Sequence, residues 1–123
     1  LAFEVLRKLQ KPTYILSTEK NLVVSSRAKK LQIPVLQGIR NKSAALKKLA
    51  IKEGYNLQNI LYIGNDLNDY QAMKLCGYTF CPSDSHEKIK LLAKNTLISK
   101  GGKGVIRELL EDYLEVDFLE VLY

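Results

Sequence analysis

The sequence predicts an α/β fold with a doubly wound, mainly parallel, Rossmann-like sheet, and three observations carry that prediction. Short apolar runs alternate with longer segments of helical apolar spacing, in the order αβαβαβαβαβα. Residues 60–63 (Ile60, Leu61, Tyr62, Ile63) form an unbroken apolar run between Asn59 and Gly64, too short for a helix and without the alternation of a half-exposed strand. No internal repeat or low-complexity tract interrupts the pattern, so the 123 residues are expected to form a single domain, residues 1–123.

Taken in order, residues 1–9 read as an amphipathic helix with Leu1, Val5, Leu6 and Leu9 on one face, ended by Pro12. Residues 13–16 are a short β-rich run, followed by Ser17, Thr18, Glu19 and Lys20, residue types that cap helices. A helix over 21–32 turns Val24, Ala28 and Leu31 inward, and residues 33–36 form a second strand, with Pro34 near its start. A loop over 37–41 leads to a helix over 42–53 packed through Ala45, Leu46, Leu49 and Ala50, with Gly54 as its C′ residue. The strand over 60–63 comes next, then a helix from Leu67 that stops at Gly77. A strand over 78–81, a cap at Pro82, Ser83, Asp84 and Ser85, a helix over 86–94 and a small strand over 96–99 follow. The glycine-rich loop 100–104 opens into a helix over 105–115.

Gly64, Asn65 and Asp66 therefore sit in a strand-to-helix turn at the carboxyl edge of the sheet, where open α/β sheets bind ligands. Asn65, Asp66, Asn68 and Asp69 offer oxygen ligands of the kind Mg²⁺ prefers. Equally, Asp66 or Asn65 could cap the following helix, with Asp69 in its first turn favoured by the helix dipole. Ser17 divides in the same way between a cap and a ligand, and Lys42 between a solvated helix face and a functional cation. His86, at the start of a helix, reads as structural.

A formal net charge of +6 is spread over lysines scattered along helices, without the massed, aromatic-interleaved basic motif of a nucleic-acid binder. An anionic small substrate or an acidic surface accounts for it. Cys76 and Cys81 lack C-x-x-C spacing and read as buried thiols of a cytoplasmic chain. No apolar segment approaches the ~18 residues of a membrane span. The chain opens on apolar residues at helical spacing without an initiator methionine, so it reads as part of a longer polypeptide. The apolar tail 116–123 is expected to pack on its own domain or on another subunit.

A hydroxyl at Ser17 after a strand, Lys42 at a helix start, and the loop Gly64-Asn65-Asp66-Leu67-Asn68-Asp69 together resemble motifs two, three and four of the haloacid dehalogenase-like (HAD) phosphatase superfamily. Residues 60–73, Gly77, the stretch Pro82 to His86 and Gly101-Gly102-Lys103-Gly104-Val105-Ile106-Arg107-Glu108 are similar to the cap-less branch typified by 3-deoxy-D-manno-octulosonate (KDO) 8-phosphate phosphatase. The C-terminal domain of N-acylneuraminate cytidylyltransferases carries a similar module. The resemblance implies an aspartate nucleophile, a general-acid aspartate two residues on, and a Mg²⁺ cofactor. It gives Ser17 a phosphoryl oxygen to bind, with Thr18 beside it, and Lys42 the charge of the transferring group to neutralise. Asn65, Asp66 and Asp69 would complete the metal shell, and Lys103 and Arg107 could reach an anionic sugar acid or hold subunits together. It implies further that Ser17, Lys42 and the acidic loop face a single anion-sized hollow, and that the protein is a homotetramer.

Three features depart from that pattern. The aspartates are Asp66, Asp69, Asp84, Asp112 and Asp117, so no Asp-x-Asp pair is present; the nucleophile-bearing first strand is expected to be missing, or its gap filled by the apolar tail. Asn65 stands where these phosphatases carry a metal-binding aspartate, and Glu19 where an arginine is usual; a carboxylate there repels a phosphorylated sugar acid. The expected function is thus a Mg²⁺-dependent sugar-acid phosphatase domain, for KDO 8-phosphate or a sialic-acid or KDN 9-phosphate, inactive as these 123 residues. The alternative is a non-catalytic oligomerising module of an N-acylneuraminate cytidylyltransferase.

Overall fold

The computed structural model describes residues 1–18 and 33–123. The helix expected over 21–32, with Glu19 and Lys20 before it, lies outside the described residues. The chain divides into two compact units, one formed by residues 1–40 and 109–123 and the other by residues 41–108.

In the first unit, α1 (Ala2–Lys8) buries Val5 completely, and β1 (Ile15–Leu16) pairs in parallel with β2 (Val35–Leu36), Ile15 opposite Val35 and Leu16 opposite Leu36. Leu109–Tyr113 form a wide π turn that buries Leu109 and Leu110. The tail forms a helix, α6 (Phe118–Leu122), capped by the Asp117 carboxylate, which accepts from the Leu119 and Glu120 N–H groups. This helix packs against α1 and buries Phe118, so the apolar tail meets its own unit and does not supply a strand. Its sequence explains the outcome: Asp117 is a strong N-cap, and Phe118, Val121 and Leu122 fall on one helical face.

The second unit holds the longer ladder. After α2 (Lys42–Glu53) come β3 (Leu61–Ile63), β4 (Tyr78–Cys81) and β5 (Asn95–Thr96), parallel in the order β3-β4-β5. Leu61 lies opposite Tyr78, Tyr62 opposite Thr79 and Ile63 opposite Phe80; Phe80 and Cys81 lie opposite Asn95 and Thr96. The most buried strand is β4, the middle of the ladder, whereas the flanking residues of β3 are half-exposed around a buried Tyr62. Among the described residues β3 pairs on one side only, which is why it is less enclosed than its apolar run predicts. The helices α3 (Tyr70–Met73), α4 (Glu87–Leu92) and α5 (Val105–Glu108) supply Ala72, Met73, Ile89 and Val105 to a core shared with Leu46, Ala50, Phe80, Cys81 and Leu97.

The helix ends follow the predicted chemistry at Gly54, whereas the cap expected at Pro82 to Ser85 is taken by His86 and the loop residue Asn41 proves to be a cap. Asn41 caps α2 by accepting from the Ala44 N–H, and Gly54 ends it in the left-handed region at φ 74°. The His86 Nδ1 accepts from the Lys88 N–H at the start of α4, a structural use of the chain's single histidine. No described helix is long and apolar enough to cross a membrane.

Gly77 is fixed by a close approach. A Cβ there would stand 1.8 Å from the Gln58 carbonyl oxygen, in the turn that brings the chain back alongside β3. Gly77→Ala is expected to lower stability by about 3 kcal/mol, because a backbone atom must move to make room. Chemical denaturation checks this, and a loss below about 0.5 kcal/mol, the usual range of an innocuous surface change, would contradict it.

Candidate functional site

The site forms where β3 ends. Asp66 and Asp69 make a reciprocal capping box around a 3₁₀ turn over Leu67–Asp69: the Asp66 carboxylate accepts from the Leu67 N–H at 2.7 Å, while Asp69 reaches back to the turn. Oδ2 of Asp69 accepts from the Asn65 N–H at 3.0 Å and the Asp66 N–H at 3.3 Å. Its Oδ1 accepts from the Tyr62 hydroxyl at 2.8 Å and the Lys42 Nζ at 2.9 Å. Four donors from three elements thus meet on a single carboxylate, with 5% of its side chain exposed.

Lys42 owes its place to that carboxylate. It is the first residue of α2, where the helix dipole disfavours a cation and where no acidic residue stands in the first turn. The Asp69 carboxylate, 27 residues on, offsets this and holds an ammonium whose side chain is 10% exposed. Gly64 makes the geometry possible. A Cβ at Gly64 would come within 2.6 Å of the Met73 sulfur and 2.7 Å of the Asp69 Cβ, so any larger residue pushes Asp69 out of reach.

Burial alone would raise the Asp69 pKa. The bonds from Lys42, the Asn65 N–H and Tyr62, together with the Lys42 charge, outweigh it and hold the carboxyl below its ordinary 3.8. The same burial, joined by the Asp69 charge, pushes the Tyr62 hydroxyl far up, so it stays a proton donor throughout the working range. Burial also raises the Cys76 thiol to about 11, which leaves it an inert core group.

Loops after β4 and β5 join the same rim. The Asn65 carbonyl accepts from the His86 N–H at 2.9 Å, the Ser99 carbonyl from the Ser83 N–H at 2.9 Å, and the Asp84 carboxylate from the Gly101 N–H at 2.8 Å. Glu108 grips the end of the β5 loop with both oxygens, from the Ile98 N–H at 2.8 Å and the Ser99 N–H at 2.7 Å. Desolvation opposes this, but bonds from Ser99 and Ile98 prevail and lower the Glu108 pKa. Of the residues singled out from the sequence, Lys42, Asp69 and the backbone of Asn65 and Asp66 are brought together. Lys103 and Arg107 are exposed, on the glycine-rich turn and on α5. Ser17 and Thr18 follow β1 in the first unit; the Ser17 N–H donates to the Leu36 carbonyl and its own carbonyl accepts from the Ile39 N–H.

With the geometry in place, the sequence matches the model of the haloacid dehalogenase-like hydrolase family over residues 4–109. The chain belongs to that family. Within it, the KDO 8-phosphate phosphatase of Escherichia coli (strain K12) is 31% identical over 98 residues, which span 79% of this chain and 52% of that enzyme. The chain thus spans about half the length of that relative. The Moraxella catarrhalis KDO 8-phosphate phosphatase, solved with magnesium, phosphate and KDO, superposes with a TM-score of 0.86 at 29% identity, covering 93% of this chain and 66% of that one. The cobalt-bound Haemophilus influenzae enzyme shares the fold, with a TM-score of 0.88 at 24% identity, over 98% of this chain and 75% of that one. These HAD-like relatives agree with the cap-less branch that the motifs resemble.

Among the described residues, oxygen groups suited to magnesium gather on the loop Asn65 to Asp69. No three His, Cys, Asp or Glu side chains among the described residues are grouped so as to hold a metal. Asn65 brings no charge, Asp66 spends one oxygen on its cap, and both oxygens of Asp69 are already bonded. At most Asn65 and Asp66 contribute part of a shell.

Tyr62, Asp84 and Glu108 were given no site role from the sequence, although Asp84 was read in a cap and Glu108 closes the motif after the glycine-rich loop. The signal for Tyr62 was a hydroxyl inside an otherwise aliphatic strand, which needs a partner when buried. Asp69→Asn is expected to cost about 3 kcal/mol, since it strands the Lys42 charge and turns an amide toward backbone donors. Because the folded pKa of Asp69 lies below its ordinary value, its stabilisation is complete above 3.8 and is lost as pH falls through the folded value. Denaturation followed from pH 7 downward should show an acid limb that shrinks in Asp69→Asn; an unchanged limb would contradict the assignment.

Proposed function

We propose that the chain is the phosphate-gripping portion of a HAD-like phosphatase for a sugar-acid phosphate, of the KDO 8-phosphate or sialic-acid or KDN 9-phosphate type. The observation that carries this reading is the Lys42–Asp69 bond of 2.9 Å, which fixes an ammonium at the carboxyl end of a parallel strand. An ammonium held there in advance neutralises the charge of a phosphoryl group without moving when the reaction occurs. Ser17, with Thr18, takes a phosphoryl oxygen, and Lys103 and Arg107 take the anionic sugar acid. Support comes from the family match and from the relatedness to KDO 8-phosphate phosphatases.

The 123 residues hold no Asp-x-Asp pair, so the nucleophile and general acid come from polypeptide outside them. Magnesium dependence belongs to that fuller protein, whose added carboxylates complete the shell that Asn65 and Asp66 begin. A homotetramer is part of the same reading, supported by exposed apolar side chains such as Ile51, Leu91, Ile98 and Leu119. Asn65 favours a second reading, a non-catalytic oligomerising module of an N-acylneuraminate cytidylyltransferase, because a neutral amide weakens a metal site.

A Mg²⁺-containing assay of phosphate release from KDO 8-phosphate and KDN 9-phosphate separates the two. The 123-residue chain should release none. A longer native polypeptide with an Asp-x-Asp strand should turn over, and its Lys42→Met variant should lose about a hundredfold in kcat. Release by the 123 residues alone would overturn the division of labour, and a folded but inert longer polypeptide would leave the module reading in its place.

A further inference from the structure

Tyr62 is a buried titratable group that the phosphate role of Lys42 does not use. Its ring is enclosed in the second unit, with 8% of the residue exposed, and its hydroxyl points along the rim to Oδ1 of Asp69, the same oxygen that receives Lys42. We propose that Tyr62 is a positioning residue of this site: its hydroxyl holds the Asp69 carboxylate in one orientation and so sets where the Lys42 ammonium points. The inference rests on the reading of Lys42 as a phosphate-gripping group.

Oδ2 of Asp69 is fixed by two backbone donors of its own turn, which leave the carboxylate able to tilt about that edge. Of the two donors on Oδ1, Lys42 sits at the end of a flexible four-carbon stem and cannot fix the tilt. Tyr62 has two side-chain torsions and a ring packed in the core, so its oxygen is the rigid reference. It is also a neutral donor. It occupies part of the accepting capacity of Asp69 without adding a second cation, so the ammonium keeps donors and charge directed at an incoming anion.

The test uses the 123-residue chain and inorganic phosphate, titrated at a temperature where every variant is folded. Wild type should bind phosphate and Lys42→Met should not. Tyr62→Phe, which removes one oxygen and keeps the ring, should bind about fivefold more weakly, the loss of part of a charge-assisted hydrogen bond. Thr79→Val is the control for a purely structural effect: Thr79 is buried on the neighbouring strand and accepts from the Lys94 N–H, so its loss should lower stability and leave phosphate affinity unchanged. Tyr62→Phe binding as tightly as wild type, while Lys42→Met fails, overturns the inference and leaves the phosphate reading intact. A wild-type chain that ignores phosphate overturns both. Should Tyr62→Phe not fold, the wild-type Tyr62 hydroxyl proton provides the reading by NMR: a resonance that shifts on phosphate addition supports the inference, and one unmoved at saturation overturns it.

Discussion

One carboxylate organises this site. Asp69 collects a strand hydroxyl, a helix-start ammonium and two turn amides, and removal of any one of these donors would leave a nearly buried charge short of partners. The arrangement also explains residues that are costly by themselves. A lysine opening a helix runs against the helix dipole, a buried tyrosine hydroxyl needs a partner, and the close approach at Gly64 leaves no room for a Cβ; each is accounted for by the position of Asp69.

Around that centre the rim is built from hydrogen bonds between loops, two of them backbone to backbone and the others from backbone amides to the Asp84 and Glu108 carboxylates. The loop after β3 is tied to the loop after β4 through Asn65 and His86, and the loop after β4 to the loop after β5 through Ser83 with Ser99 and Asp84 with Gly101. Glu108 closes the series by gripping two consecutive amides from the first helix beyond the glycine-rich turn. A parallel ladder puts the ends of all its strands on one edge, and such bonds turn three separate loops into one surface. The family match is consistent with this use of the edge, where open α/β sheets bind their ligands.

The α/β class and the parallel ladder were legible because helical and strand periods alternate cleanly, and α2 was legible to both ends from the loop 37–41 before it and Gly54 after it; the cap at Asn41 is what the structure adds. The short strands were less so: β1, β2 and β5 have two residues each, where the stretches 13–16, 33–36 and 96–99 had suggested four, and β5 begins one residue earlier than expected, because pairing ends where a neighbouring strand ends. The tail was read as apolar and seeking cover, yet its helical form depended on recognising Asp117 as a cap. In the site, the motif spacing pointed to Lys42 and Asp69 separately. Their bond, and the part taken by Tyr62, depend on tertiary placement across 27 residues, which no local pattern encodes. Asp66 illustrates the limit from the other side: its cap role was visible from its position, and the structure adds the reciprocal return from Asp69.

The most direct test of the account is a double-mutant cycle on stability between Lys42→Met and Asp69→Asn. A nearly buried pair that fixes the rim predicts a coupling of about 2 kcal/mol between the two positions, with the double variant more stable than the sum of single losses implies. A coupling below about 0.5 kcal/mol, the range of independent or solvent-exposed pairs, would mean that the ammonium is not held by Asp69 and that the site described here is not preformed.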